Sequence, residues 1–423
     1  MKNYFLISLV IMILVSCRKQ YDVRLPDTEW DQFDALGAIQ LRDTTGKKME
    51  GVYLFSEGNA AFGDQAALKW SYNAHGTDTT FYLTILCEKQ IAYFILEGKR
   101  SDSNILFNGY WRRMANTETG KARFTISAAN GGSYLLNDST YVPGNSIIID
   151  GMYGNGDATP DQPIKLNYNR PLFHAKPLEM VVHRGGGQTA DLLPASENTT
   201  QIIEMASRFG ATGIEIDVRL TKDGVPILFH DADLSERLIQ KNGMVGPIEN
   251  YTYAQLNSLV RLIRNGERIP TLREALETVV FNTPIRFVWL DTKFHNNLQI
   301  IRDLQVEYMQ DAASLGKQLE ILIGIPDTDV LNQFKALEDF QNVPSVCELD
   351  PPLVAEANSK VWGPRWTNGL QNDAVDLIHS QGRRAFVWTL DHPDNIQEFM
   401  KNGHFDGILT DYPSAVAYYY YVQ

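Results

Sequence analysis

The chain has 423 residues, enough for roughly two or three domains and a sizeable core. Its 38 Lys and Arg stand against 51 Asp and Glu, a formal net charge of −13. That balance argues against a general binder of nucleic acid or anionic membrane, but not against an anionic substrate, because a bound metal ion inverts the field locally.

The N-terminus reads as a processing signal. Met1-Lys2-Asn3 precedes the apolar run YFLISLVIMILVSC, whose apolar part is short for a membrane span and suits a signal-peptide core. Leu14-Val15-Ser16-Cys17 resembles the lipobox of bacterial lipoproteins. The resemblance implies a signal peptide over 1–16, cleavage before Cys17 and acylation of its thiol. The expected location is then the bacterial cell envelope, held to the membrane by lipid alone. Residues 17–30 read as a tether. Cys87 and Cys347 fall in segments assigned to different domains and read as two buried free thiols.

Residues 31–165 predict a small all-β domain, a sandwich or a barrel. FYLTILCEKQIAYFILEG (81–98) is two apolar runs broken by Glu88-Lys89-Gln90, a hairpin pattern. ILFNGYWRRM, KARFTISA and SIIIDGMYG continue the series of short strands. Trp70, Tyr110, Trp111 and Tyr153 read as core in preference to a ligand face. GNGDATPDQP (154–163) has the turn-rich composition of a boundary.

From 166 to 423 strands alternate with helices. EMVVHRG, GIEIDV, PILFHD, RFVWLDTK, LEILIGI, SVCELD, KVWGPRW, RAFVWTLD and FDGILTDYP are nearly continuous apolar strands. ENTTQIIEMASRFG reads as a helix with Ser196 as N-cap and Gly210 as its stop; TLREALETV is another, with Thr271 near its start. Such alternation predicts a parallel sheet covered on both faces, and about eight units over roughly 245 residues predict a (β/α)₈ TIM barrel. Nine candidate strands are one too many, so one is an excursion or an edge piece.

A barrel of this kind places its active site at the C-terminal strand ends. His183-Arg184, Glu215 and Asp217, His230-Asp231, Asp291 and Lys293 cluster at those ends. Side chains at i and i+2 of a strand point the same way, so Glu215 and Asp217 converge on one cation. Ligands that are all oxygen favour Ca²⁺ or Mg²⁺ over zinc. Two histidines at neighbouring strand ends divide acid and base work across a substrate, and Arg184 and Lys293 suit phosphate oxygens. Alone, a Glu-x-Asp is an ordinary loop edge and a His an ordinary structural residue. Four strand ends carrying compatible groups together make coincidence the weaker account. His174, His295, His379, His392 and His404 lack such company and read as surface or packing residues.

HRGGGQTADLLPASENT, GIEIDVRLTKDGVPILFHD, WLDTK, FVWTLD and DGILTDYP together resemble the glycerophosphodiester phosphodiesterase family, over about 179 to 416 and in the family's order. The resemblance implies a TIM barrel and metal-dependent hydrolysis of glycerophosphodiesters to glycerol 3-phosphate and an alcohol. It implies His183 and His230 as the acid/base pair, and Glu215 and Asp217 as metal ligands. Arg184 and Lys293 would contact phosphate, Glu197 and Asn198 would sit in or just behind the metal and substrate shell, and Trp388 would line the substrate pocket. One position departs: the family usually has Glu-x-Lys where this chain has Asp291-Thr292-Lys293. Asp291 is then a metal ligand on a shorter arm. The sphingomyelinase-D-like phospholipases, a related branch, carry Asp-x-Lys there, so that activity is the alternative. An inactive, lipid-anchored binding protein is the reading from another class; the presence of His183, His230, Glu215 and Asp217 weighs against it.

Overall fold

The computed structural model describes residues 23, 25–28, 31–114, 118–137 and 147–423. Cys17, its lipobox and most of the tether lie outside the described residues. No helix among the described residues is long and apolar enough to cross a membrane.

The N-terminal domain is a closed ring. Strands Gly51–Glu57, Gln65–His75, Asp78–Cys87, Tyr93–Ser101, Asn104–Arg112, Thr119–Ile126, Ile148–Tyr153 and Gln162–Arg170 each pair antiparallel with the next, and the last returns to the first. Between a sandwich and a barrel, this pairing selects the barrel. Closure leaves the ring without an open edge, apart from the short Ile39–Gln40 strand laid on Tyr93–Ser101. The hairpin expected over 81–98 is present, turning at Lys89–Ile91. The Gln162–Arg170 strand crosses the expected 165/166 boundary, so the β-domain extends to Arg170. A turn-rich run marks where a chain bends, and here the bend precedes the final strand instead of following it.

Alternation along these strands fills the ring. Tyr53, Leu68, Trp70, Leu83, Phe94, Phe107, Trp111, Phe124, Tyr153 and Leu166 pack into one interior cluster. The opposite face is also apolar where it meets the second domain. Ala67, Leu86, Tyr93, Ile95 and Tyr110 join a core that includes Ile202, Ile203 and Phe209. Trp70, Tyr110, Trp111 and Tyr153 are thus all core, as the sequence indicated. Polar contacts fix the seam: Asn73 Nδ2 donates to Glu204 O (3.0 Å) and Asn282 O (3.2 Å), and Thr84 Oγ1 to Arg208 O (2.8 Å).

The second domain is a parallel eight-stranded barrel. Its strands are Glu179–Val182, Gly213–Leu220, Phe287–Thr292, Glu320–Ile325, Ser345–Cys347, Val361–Trp362, Arg384–Val387 and Gly407–Thr410, and the first pairs with both the second and the last. The surplus candidate is PILFHD: Pro226–Leu228 pairs antiparallel with the far end of the second barrel strand. It opens an excursion with its own small core of Ile227, Phe229, Leu234, Leu238 and Leu256. The first barrel helix, Thr200–Ala206, is capped by Thr199, whose Oγ1 accepts from Ile202 N–H, and not by Ser196. Ser196 Oγ instead accepts from Arg264 N–H. Thr271 caps Leu272–Asn282 in a capping box with Glu274. Cys87 and Cys347 are buried free thiols, one in each domain.

Inside the barrel Val181, Phe287, Trp289, Leu322, Val346, Val361, Phe386 and Leu409 make a packed floor. Gly363 admits the Trp289 indole, since a Cβ there would lie 2.6 Å from a ring carbon. The register then sets what stands above. Gly213, Glu215 and Asp217 pair with Phe287, Trp289 and Asp291, so both chains turn apolar or absent side chains to the floor and carboxylates to the mouth. Val181 pairs with Gly213 and with Leu409; continued upward, that register brings His183, Glu215 and Asp411 to one level.

Candidate active site

Glu215, Asp217 and Asp291 each offer a carboxylate oxygen within 4.8 Å of the other two. Glu215 and Asp217 are 3% and 1% exposed. Like charges this close and this dry oppose one another. Burial, then the Asp217 charge, pushes Glu215 up to about 8. Burial also works against Asp217, but Lys293, His230, His183 and Arg184 hold it below the usual carboxylate range. Asp291 is raised, first by burial. Glu215 Oε1, Asp217 Oδ1 and Asp291 Oδ1 are buried and accept no hydrogen bond among the described residues. Glu215 Oε1 and Asp291 Oδ1 have no donor and Asp217 Oδ1 meets only the Lys293 ammonium at 3.2 Å, so the convergent oxygens suit a hard divalent cation. The shorter Asp291 arm therefore reaches the cluster.

The remaining oxygens are oriented from behind. Glu215 Oε2 accepts from Arg184 N–H (2.8 Å). Asp217 Oδ2 accepts from Asn198 Nδ2 (2.7 Å), while Asp217 N–H donates to Asn198 Oδ1 (3.0 Å). Arg184 and Asn198 both adopt left-handed backbone, φ 53° and 59°, a conformation that persists only when its surroundings enforce it.

Each histidine is anchored by a carboxylate. His183 Nδ1 meets Asp411 Oδ1 at 2.8 Å, and His230 Nδ1 meets Asp231 Oδ1 at 2.8 Å. Nδ1 is thus engaged in both rings, which leaves Nε2 as the nitrogen that could exchange a proton. His183 Nε2 lies 3.9 Å from Glu215 Oε2. Burial works against its charge, but the Asp411 hydrogen bond and the Glu215 and Asp411 charges prevail and raise it to about 9. Asp411 Oδ2 accepts from Gln188 Nε2 (2.6 Å), and its N–H donates to Asp391 Oδ1 (2.7 Å). Asp231 accepts from Ser235 Oγ (2.8 Å) and from Arg237 Nη2 (2.6 Å). His230 is not at a barrel strand end. It follows the antiparallel Pro226–Leu228 excursion, and Arg219 fixes it by donating twice to His230 O (3.0 and 2.8 Å).

The other expected residues divide. Glu197 lies behind the site: its carboxylate accepts from Arg184 Nη1 (2.8 Å), Thr189 N–H (2.8 Å) and Arg237 (3.0 and 3.1 Å). With Asn198 it orients other side chains. Arg184 is buried, yet its Nε makes no hydrogen bond among the described residues, so one donor stays available beside Asp217. Lys293 Nζ is bonded to Asp291 and lies 3.2 Å from Asp217 Oδ1, drawn into the carboxylates by their charge. Trp388 follows the seventh strand, half-buried; its Nε1 donates to Gly363 O (2.7 Å) and its ring stacks under Arg365 at 4.7 Å. His379 and His404 pair with Asp406 and Asp376, away from the cluster, and His295 pairs with Asp327.

Asp411, Gln188, Arg219, Arg237 and Glu348 are not singled out by the sequence, and Asp231 stands in the strand-end cluster there without a role. Glu348 follows the fifth strand two residues after the inward Val346, the same i, i+2 signal that marks Asp217. Burial, then the Asp291 charge, raises its carboxyl well above the ordinary range.

A sequence model of the glycerophosphoryl diester phosphodiesterase family matches residues 183–415. A glycerophosphodiester phosphodiesterase of Bacillus altitudinis is 45% identical over 228 residues, 51% of this chain and 89% of that protein. Glycerophosphodiester phosphodiesterase 1 of Rattus norvegicus is 35% identical over 151 residues, 33% of this chain but only 43% of its own length. A crystal structure of a glycerophosphodiester phosphodiesterase from Parabacteroides distasonis is 26% identical, with a TM-score of 0.45, covering 57% of this chain and 96% of that one.

Proposed function

Since the chain belongs to the glycerophosphoryl diester phosphodiesterase family, we propose that it hydrolyses glycerophosphodiesters to glycerol 3-phosphate and an alcohol. The observation that carries this reading is the pair of His–Asp dyads beside a buried carboxylate cluster with unpaired oxygens. Glu215, Asp217 and Asp291 would hold one divalent cation, Ca²⁺ or Mg²⁺ by the hardness of the donors. Such an ion, when bound, supplies positive charge to a non-bridging phosphate oxygen. The Arg184 Nε and the Lys293 ammonium add donors suited to the same phosphoryl group.

The histidines move the protons. One Nε2 takes a proton from the attacking oxygen, of water or of the neighbouring glycerol hydroxyl. The other Nε2 gives a proton to the leaving alkoxide. Asp411 and Asp231 fix the tautomers by engaging Nδ1 in each ring. The lipobox at Leu14–Cys17 supports a further part of the proposal: acylation of Cys17 and a place in the bacterial cell envelope, anchored by lipid.

The test is release of glycerol 3-phosphate from a panel of glycerophosphodiesters, with release of choline from sphingomyelin followed as the control. Turnover should vanish in chelator after dialysis and return with Ca²⁺ or Mg²⁺. Full activity in excess chelator would remove the carboxylate cluster from the chemistry, and turnover of the control alone would favour the sphingomyelinase-D-like branch that Asp291-Thr292-Lys293 resembles.

A further inference from the structure

Arg112 closes the fifth strand of the β-domain ring and is 4% exposed. Its guanidinium reaches out of that domain: Nη2 donates to Asp191 O (3.0 Å) and to Leu192 O (2.9 Å) of the catalytic barrel. Burying a guanidinium is costly unless its donors are used. Here the two hydrogens of one nitrogen, Nη2, hold two consecutive carbonyls in one arrangement, at the end of a long planar side chain. Leu192 needs holding, because its φ of 54° is left-handed, a strained state for a residue with a branched side chain.

The segment so held carries a catalytic support. Gln188 and Asp191 bracket one short turn, where Gln188 N–H donates to Asp191 Oδ2 (3.2 Å). Tyr412 Oη donates to Asp191 Oδ1 (2.7 Å). Gln188 Nε2 then donates to Asp411 Oδ2, and Asp411 Oδ1 meets His183 Nδ1. Tyr93, Phe209 and Leu193 pack around this chain and leave a cavity of about 20 Å³, room for a single water.

We propose that Arg112 is a positioning residue for His183, acting through the 188–192 turn, Gln188 and Asp411, and that the β-domain thereby completes the catalytic geometry. The proposal rests on the phosphodiesterase reading. It gives the β-domain a part in turnover with no ligand of its own. Arg112 touches no reacting atom, so its loss should act on kcat and leave the KM for the diester and the affinity for the cation near native values.

The experiment is a double-mutant cycle on the full chain, with glycerol 3-phosphate release as readout. Arg112→Gln should lower kcat roughly ten- to a hundredfold, the scale of an ångström-sized displacement of a catalytic group, with KM changed less than about twofold. Arg112→Lys keeps the charge on a shorter arm without the planar guanidinium that places Nη2 between the two carbonyls, and should lose kcat in the same direction. Gln188→Ala should also lower kcat, and in that background Arg112→Gln should add less than about twofold, because both act through one chain of contacts. Thermal melts choose a temperature at which every variant is folded; if Arg112→Gln melts too low, Arg112→Lys with Gln188→Ala makes the cycle. Native kcat in a folded Arg112 variant, or losses that multiply independently, overturns the proposal while native turnover upholds the phosphodiesterase reading. A native protein without turnover overturns both.

Discussion

Replacing Asp411 by Asn tests the support of His183 most sharply. The change is nearly isosteric, and Asp411 is buried, so the fold should be kept. What leaves is a charge 2.8 Å from Nδ1. Burial opposes the imidazolium, and the Asp411 hydrogen bond with the Glu215 and Asp411 charges overcomes it, carrying His183 from 6.5 to about 9. That rise corresponds to roughly 3 kcal/mol in favour of the charged ring. If more than half belongs to Asp411, about 2 kcal/mol is lost, a factor of roughly thirty in rate. An amide also presents a donor to Nδ1 and favours the tautomer that blocks Nε2, so the full loss should be about 10² to 10³ in kcat. Because the raised pKa falls when its partner is removed, the imidazolium should be lost at lower pH than in the native protein. Two diesters separate the roles. If His183 is the acid, a p-nitrophenol leaving group, which needs little protonation, should shrink the loss; if it is the base, the loss should be the same for phenol and alkyl alcohol. A folded Asp411→Asn protein within about threefold of native kcat on both substrates would refute the argument.

Asp291→Asn should weaken Ca²⁺ or Mg²⁺ binding by tenfold or more, on the order of what a lost ligand costs, with the melting curve measured without metal little changed; Asp291→Glu should be milder. A metal titration with unchanged affinity in Asp291→Asn would take Asp291 out of the cluster. Cys17→Ser should block acylation and lipoprotein-type cleavage, which metabolic fatty-acid labelling and the N-terminus of the mature chain check; a native protein found unlipidated and cut elsewhere sinks this.

The parts of the site legible in the sequence are those in which one strand carries its own signal. Glu215-x-Asp217 and Asp291-x-Lys293 announce themselves because alternation along a strand puts both members on one side, whatever the strand pairs with. His183 and the barrel itself were legible for the same reason. Register was not. Nothing local distinguishes Pro226–Leu228, which pairs antiparallel, from a parallel barrel strand, so the surplus strand could be counted but not identified. Glu348 has the right spacing but follows a three-residue strand with one inward apolar neighbour, too short a pattern to stand out.

The supports were hidden by distance along the chain. His183 and Asp411 are 228 residues apart and meet only because the first and last barrel strands pair. Arg237 reaches Asp231 and Glu197 from inside the excursion, so it ties the second histidine's carboxylate to the Arg184 partner. Arg112 comes from another domain altogether. Glu197 shows the consequence most clearly. By motif it stands beside the reacting groups, yet four hydrogen bonds from three residues surround its carboxylate, and it serves as the node where Arg184, Arg237 and the 189 turn are held together. A carboxylate so fully engaged has no lone pair to spare for a substrate, whereas Glu215 and Asp291 each keep an oxygen without a donor and Asp217 Oδ1 meets only the Lys293 ammonium. That contrast in unspent hydrogen-bonding capacity separates the groups proposed to do chemistry here from those proposed to aim them.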